Sequence, residues 1–145
     1  MKQLTAGVLC MTFVLLGSSE AQACLCANRS VNQLKKESKA VFTGKVVEVS
    51  REFDNYAMFY RVKLSVERTW KNAQAGEITV YSRGGCSVWF VPGKEYLVYA
   101  YAGKDGNTLE TDLCSKTRQV GMAEEDLKKL GKAKTVEKVS RSNVN

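Results

Sequence analysis

Four cysteines are the residues of this 145-residue chain whose type and spacing point most directly to chemistry. Cys24 and Cys26 lie one residue apart, directly after the small-residue step Ala-Gln-Ala at 21–23, while Cys86 and Cys114 each stand alone. Cysteines form either disulfides or metal sites, and structural zinc usually draws on paired cysteines a few residues apart. Because only one such pair is present, the spacing favours disulfides, and we predict no metal or other cofactor for this protein.

The first 23 residues predict export to an oxidising compartment. Lys2 precedes an apolar stretch at 4–16, and small residues follow up to Ala23, which is the order of a signal peptide. The stretch is shorter than the roughly 20 residues that span a membrane, so an uncleaved anchor is disfavoured. We expect cleavage after Ala23, no transmembrane segment, and a secreted protein, extracellular or periplasmic, that begins at Cys24. Cleavage also removes Cys10 and leaves an even number of cysteines.

The four remaining cysteines allow three pairings. A bond between Cys24 and Cys26 would close a very small, strained ring. We therefore expect these two residues to reach Cys86 and Cys114 separately, in either of two arrangements. Each bond would close a long loop and stabilise the fold by roughly 4 kcal/mol in the chain-entropy view. The first residues of the mature chain would then be fixed to two distant parts of the fold.

Composition argues against an enzyme. The chain has no histidine, which removes Ser-His-Asp and Cys-His catalysis and any histidine-ligated metal. The acidic run Glu124-Glu125-Asp126 lies at the start of a predicted helix, where carboxylates have a structural reason to be. The net charge of +7 favours anionic partners, but much of it lies in the tail at 128–141, which we interpret as solvated. We expect a monomer that binds no nucleic acid.

The elements that must position the cysteines are mostly strands. Residues 30–33 have the form of a helix capping box and begin a short helix to residue 39, and a second helix is predicted at 123–130. Strand signals cover 40–49, 59–70, 77–81, 96–101 and 108–113. Gly44 lies inside the first strand, where glycine often marks a bulge or a bend. Five antiparallel strands with short helices predict an all-β domain of the OB-barrel type.

Alternation in the second strand predicts which of its faces is buried. The predicted buried face carries the apolar residues Tyr60, Val62, Leu64, Val66 and Trp70. Thr69 falls on the opposite face and is expected to contact water. The chain is thus divided into a signal peptide at 1–23, one folded domain at 24–120, and a helix with a basic tail at 121–145.

Six short motifs together resemble the tissue inhibitor of metalloproteinases family, in its inhibitory netrin-like domain. They are Cys-Leu-Cys at 24–26, Val-Phe-Thr-Gly-Lys-Val-Val at 41–47, Thr-Trp-Lys at 69–71, Gly-Gly-Cys-Ser at 84–87, Gly-Lys-Glu-Tyr-Leu-Val at 93–98 and Leu-Cys-Ser at 113–115. The resemblance covers roughly residues 24–114 and is to the short prokaryotic members. It implies a five-stranded OB barrel with disulfides from Cys24 to Cys86 and from Cys26 to Cys114.

The resemblance also implies a mechanism. The free amine and the carbonyl of Cys24 would chelate the catalytic zinc of a target metalloproteinase, which supplies the metal. Leu25 would enter the specificity pocket beside that zinc. The remaining inhibitory contacts would come from Cys26, Gly84, Gly85, Cys86 and Ser87. Phe53 and Tyr56, between the first two strands, are candidate contacts at the rim, but the favoured interpretation of both is that of ordinary loop aromatics that bury themselves.

The chain departs from the family pattern in two respects, and two alternative functions remain open. The chain lacks the third disulfide of the domain and the C-terminal subdomain of animal members, and Leu25 stands where those members normally carry Thr or Ser. A non-inhibitory netrin-like binding module is the first alternative. The second is a lipid-anchored envelope protein, because bacterial lipoproteins are acylated on a cysteine just after the signal. The Ala-Gln-Ala step fits ordinary cleavage better.

Overall fold

The structure is a computed structural model that describes residues 24–55 and 57–136. The predicted signal peptide, Tyr56 and the last nine positions, 137–145, lie outside the described residues. The helices are α1 (Val31–Glu37) and α2 (Glu124–Leu130), with short 3-10 helices at Leu113–Ser115 and Val120–Met122. The strands are β1 (Ala40–Phe53), β2 (Met58–Lys71), β3 (Glu77–Arg83), β4 (Glu95–Ala102), β5 (Leu109–Thr111), β6 (Arg118–Gln119) and β7 (Lys134–Thr135). The described chain is therefore mostly β, as predicted.

Five of the strands close into a ring. β1 pairs with both β2 and β4, and β3 and β5 complete the order β1-β2-β3-β5-β4. Not all five are antiparallel as predicted, because β3 and β5 pair in parallel. The connection between them contains β4, which gives the crossover that a parallel pair requires. β5 is also shorter than predicted, since the 3-10 helix at Leu113–Ser115 begins directly after Asp112.

β1 bends where the sequence predicts it. Its 14 residues are paired along both edges in the first half, and the register shifts between Thr43 and Gly44. A side chain at Gly44 would place its Cβ 3.0 Å from the Ser65 carbonyl oxygen and 3.1 Å from the Leu64 Cβ. The close approach of β2 therefore leaves room for little more than glycine at this bend.

The alternation of β2 is interrupted by an irregularity that the sequence did not reveal. Gly44 pairs with Val66 and Thr43 with Arg68, which leaves Glu67 as an extra residue between the two pairs. An extra residue exchanges the two faces of the following segment. Thr69 is consequently buried, at 9% exposure, and its predicted contact with water is wrong. Trp70 does not join the apolar face of Val62, Leu64 and Val66 but packs beside the helices.

The strands bury two separate apolar clusters. One lies inside the ring and is made mainly of Phe42, Val46, Val62, Leu64, Val80 and Val98. The other lies between the outer face of β1 and β4 and the two helices, and contains Val31, Leu34, Val41, Leu97, Tyr99 and Leu130. β1 and β4 are thus buried on both faces over part of their length, which explains their nearly continuous apolar sequence.

The helices are fastened by polar contacts at their ends. The Ser30 hydroxyl accepts a hydrogen bond from the Gln33 amide at 3.2 Å and caps α1, but the Gln33 side chain bonds to Glu37. The cap is therefore present without the reciprocal bond of a full capping box. In α2, the buried Asp126 carboxylate lies 2.9 Å from the Arg118 guanidinium. In the described part of the chain, no helix has both the length and the apolar character needed to cross a bilayer.

Candidate functional site

Two disulfides fix the beginning of the described chain. Cys24 is bonded to Cys86 and Cys26 to Cys114, with Cα–Cα distances of 5.8 and 5.0 Å. This is the pairing that the family resemblance implies, out of the two that the cysteine positions left open. The bonds connect residues 62 and 88 positions apart. Three consecutive residues are therefore tied to the loop after β3 on one side and to the 3-10 helix after β5 on the other.

The loop that carries Cys86 is a tight, internally bonded turn. Gly84 has a φ of +78°, a conformation that residues with a side chain rarely adopt. Its carbonyl accepts hydrogen bonds from the Ser87 hydroxyl at 2.6 Å and from the Ser87 amide at 3.3 Å. The buried Ser82 hydroxyl accepts a further bond from the Val88 amide at 2.8 Å. Local bonds at both ends therefore hold Cys86 in place.

The 3-10 helix that carries Cys114 is fixed by Asp112. The Asp112 carboxylate accepts hydrogen bonds from the Ser115 amide at 2.8 Å and from the Tyr101 hydroxyl at 3.0 Å. Burial, and secondarily the negative charge of Asp112, raises the pKa of the Tyr101 hydroxyl above its usual range. The hydroxyl therefore keeps its proton and remains the donor to the carboxylate.

Three hydrogen bonds join these supports to each other and to α1. The Leu113 amide donates to the Cys86 carbonyl at 2.9 Å, which links the two disulfide loops directly. The Arg29 guanidinium donates to the Cys114 carbonyl at 3.0 Å and to the Glu37 carboxylate at 3.1 Å. Hydrogen bonds from Gln33 and then from Arg29 lower the pKa of Glu37, which keeps that ion pair charged at neutral pH.

The result is a rigid and accessible surface, which we name the terminal ridge and define as Cys24, Leu25, Cys26, Gly84, Gly85, Cys86 and Ser87. All seven residues predicted from the sequence to make the site are thus brought together. Leu25 is 96% exposed, and Cys26, Gly84 and Gly85 are also exposed. All three cysteines of the ridge are bonded in disulfides, so it carries no free thiol. It presents backbone groups and the Leu25 side chain to a partner.

The β1–β2 hairpin reaches towards the ridge through an ion pair. The Arg83 guanidinium, next to Gly84 in sequence, lies 2.8 Å from the Asp54 carboxylate at the hairpin tip and 3.3 Å from the Glu110 carboxylate. It also stacks 3.9 Å above the Phe59 ring. Phe53 is 74% exposed at the end of β1, so it is available as a rim contact. Tyr56 lies outside the described residues.

Several supporting residues were not found by sequence reasoning. Arg29 and Arg83 each bond to partners that are distant in sequence, and nothing in the local pattern marks them. Asp112 could have been found, because an Asp three residues before Ser115 is a recognisable capping pattern around Cys114. No group of three or more metal-ligating side chains occurs among residues 24–55 and 57–136.

Neither a comparison with known protein-family models nor a search of curated proteins finds a match to this chain. Its function must therefore be argued from the ridge and from the sequence resemblance.

Proposed function

We propose that this protein is a secreted inhibitor of zinc metalloendopeptidases, related to the tissue inhibitors of metalloproteinases. One observation carries the proposal: a Cys-Leu-Cys segment is held rigidly by two disulfides while the Leu25 side chain between them is exposed to solvent. The ring of five strands, in which β1 pairs with both β2 and β4, supports an OB-type barrel as its framework.

The chemistry of inhibition would take place at the Cys24 backbone. Once the chain is cleaved after Ala23, the amine and the carbonyl oxygen of Cys24 can close a five-membered chelate on a zinc ion. Catalytic zinc keeps one coordination position for the hydrolytic water, and the chelate would displace that water. The Cys24 sulfur is bonded to Cys86 and is not a ligand. The zinc belongs to the target.

The amine must be neutral to bind the metal. An unperturbed α-amino group has a pKa near 8, so losing its proton costs little at neutral pH, and zinc binding favours that loss. The disulfides contribute geometry to this step. Because residues 24–26 are already ordered by two covalent bonds, binding does not have to restrict a free chain end.

Leu25 would determine where on the enzyme the ridge binds. Its exposed aliphatic side chain has no packing role in the fold and is suited to a hydrophobic specificity pocket next to the zinc. Gly84 and Gly85, held beside the terminus by the bond from Cys24 to Cys86, present a backbone without side chains. An enzyme can therefore approach the ridge closely on that side.

A lipid-anchored protein is the less favoured alternative. Acylation after an export signal uses the thiol of the first cysteine, and that sulfur is occupied by the bond to Cys86. A lipid-anchored form would also carry a blocked amine. The mass of the mature N-terminus separates the two possibilities directly.

The test compares two proteins against a panel of zinc endopeptidases. One begins at Cys24 and the other carries a single additional alanine before it. We expect the first to inhibit and the second to lose at least about 100-fold in affinity, because the added residue removes the free amine from the chelating position. Both must contain two disulfides and unfold at the same temperature. Equal inhibition by the two would exclude the chelate, and no inhibition by either would leave a non-inhibitory binding module.

A further inference from the structure

Trp89 is the largest exposed apolar side chain in the described part of the molecule, and zinc chelation gives it no role. It is 70% exposed. It follows Cys86 by three residues, so its Cα lies within about 11 Å of the Cys86 Cα. An indole in water contributes nothing to the stability of the core, which makes this position one that the fold itself does not explain.

The backbone at Trp89 is held from both sides. Its neighbours Val88 and Phe90 are both buried in the core of the ring. The Trp89 carbonyl accepts a hydrogen bond from the Tyr96 hydroxyl at 3.0 Å, and the same hydroxyl accepts from the Val91 amide at 3.0 Å. Two buried neighbours and a shared hydroxyl thus hold the backbone so that the Trp89 side chain is directed outwards.

The indole rests on the β1–β2 hairpin. It packs edge to face against Tyr60, with ring centroids 6.0 Å apart and an angle of 64° between the ring planes. Tyr60 is paired with Arg51 on β1, and Phe53 follows Arg51 by two residues on the same face of that strand. Trp89 and Tyr60 are therefore in contact, and Phe53 lies on the same face as Tyr60; we name these three residues the aromatic flank.

We propose that the aromatic flank, with Trp89 as its largest side chain, is a second binding surface for the target metalloproteinase and contacts apolar enzyme surface outside the zinc-binding cleft. This inference rests on the proposed function. The occupant follows from continuity, since Trp89 and the ridge residues Gly84 to Ser87 belong to one rigid connection between β3 and β4. An enzyme seated on the ridge would cover the neighbouring indole. Tryptophan is enriched among the residues that contribute most to binding energy, and groups that are ordered before binding lose less entropy.

The chelate and the flank would have separate effects on inhibition. Chelation acts on any accessible catalytic zinc, whereas the flank depends on the shape of the enzyme surface beside the cleft. Trp89 is therefore a specificity-determining residue that sets which zinc endopeptidases are bound tightly. Leu25 would also select among zinc endopeptidases, through its fit to the specificity pocket inside the cleft.

The test measures inhibition constants of Trp89→Ala and of the milder Trp89→Phe against the endopeptidase that the unmodified protein inhibits best. Met122→Ala is the matched control, because Met122 is 72% exposed but belongs to the 3-10 helix before α2. We expect Trp89→Ala to weaken inhibition at least tenfold and Trp89→Phe to weaken it less. Met122→Ala should have no effect, and all three should unfold at the temperature of the parent.

Other outcomes would overturn the inference in distinguishable ways. If Trp89→Ala inhibits as well as the parent, the flank is not an enzyme contact, although the proposed function stands. If Trp89→Ala instead abolishes self-association of the parent in size-exclusion chromatography and leaves inhibition unchanged, the flank binds a second copy. If the parent inhibits no zinc endopeptidase, the proposed function fails and this inference fails with it.

Discussion

The terminal ridge and strand β1 are both held rigidly, but by different means. Val41, Phe42 and Thr43 are completely buried, and β1 is hydrogen-bonded to a neighbour on each edge. Leu25 belongs to no helix or strand and is almost completely exposed. Its position is determined by disulfides on the residues either side of it. Strand β1 is therefore rigid because it is buried, whereas the terminal ridge is rigid although it is exposed.

Under the proposed function, this difference explains why the cysteines lie where they do. Burial orders a segment but removes it from any partner, whereas a binding surface must be ordered and exposed together. Under the proposed function this segment is a chain end, which would normally be mobile because it has few neighbours and few hydrogen bonds. Two covalent bonds supply the order that packing cannot supply at this position. If the two kinds of rigidity are independent, a change in one region should leave the other unaffected.

The largest effect is expected from removing the disulfide at Cys24 by the paired change Cys24→Ser and Cys86→Ser. The backbone amine and carbonyl of residue 24 remain, so any loss of inhibition reports the loss of rigidity. Under the proposed function we expect inhibition to weaken on the order of 100-fold or more, because the freed terminus must be ordered on binding. The free energy of unfolding should fall by roughly 4 kcal/mol, from the 62-residue separation that the bond closes.

Inhibition assays and urea unfolding check the two parts separately. The paired change Cys26→Ser and Cys114→Ser is the comparison, because it removes the other support of Leu25 and leaves Cys24 bonded to Cys86, so we expect a smaller loss of inhibition. Full inhibition by a folded variant that lacks the Cys24 bond would mean that the ridge does not need covalent support.

The next largest effect is expected in the ring. Phe42→Ala removes a completely buried phenyl group from the apolar cluster inside the five-stranded ring. Such a change should destabilise the protein by about 3 to 5 kcal/mol, through lost burial and the cavity left behind. Phe53→Ala, on the same strand but largely exposed, should change the free energy of unfolding by less than about 0.5 kcal/mol.

Urea unfolding of the two variants measures this contrast. For the folded fraction of Phe42→Ala we expect inhibition like that of the parent, because the ridge is fastened by its own bonds. A Phe42→Ala protein that stays folded but no longer inhibits would show that core packing also sets the shape of the ridge.

The sequence predicted the framework well because its signals are local. Alternation and turn residues located all five ring strands, and Gly44 marked the bend. Where the predictions failed, the cause lay on a neighbouring strand. The exchange of Thr69 and Trp70 follows from the extra residue Glu67, whose position is defined only by how β2 meets β1. The parallel pairing of β3 with β5 likewise depends on the path of the whole connection.

The candidate site also combines residues that the sequence predicts with residues that it does not. Its seven residues could be named in advance, because two pairs of cysteines and the family resemblance marked them. The residues that hold the ridge in place could not. Arg29 bonds to a carbonyl 85 positions away, and Arg83 joins a hairpin tip 29 positions earlier. Such contacts require the folded geometry, and a charged residue in an isolated segment gives no sign of them.

The smallest effect is expected at the helix layer, from Arg118→Met. Asp126 is buried, and this change would leave its carboxylate without the guanidinium that lies 2.9 Å away. Leaving a buried charge unpaired costs about 3 to 5 kcal/mol when both partners are buried. Because Arg118 is partly exposed, we expect about 1 to 3 kcal/mol, since water can reach the site. Adding Asp126→Leu to Arg118→Met should restore most of the loss.

Urea unfolding of the single and double variants measures the change in the free energy of unfolding. Inhibition assays test whether the helix layer and the terminal ridge are independent of each other. α2 packs on β1 and β4 from the side of the second cluster, and neither Arg118 nor Asp126 contacts a ridge residue through a hydrogen bond or an ion pair within the described chain. Inhibition by the folded Arg118→Met protein should therefore equal that of the parent. A loss of inhibition that the double variant reverses would instead show that the helix layer, and not the disulfides alone, sets the position of the ridge.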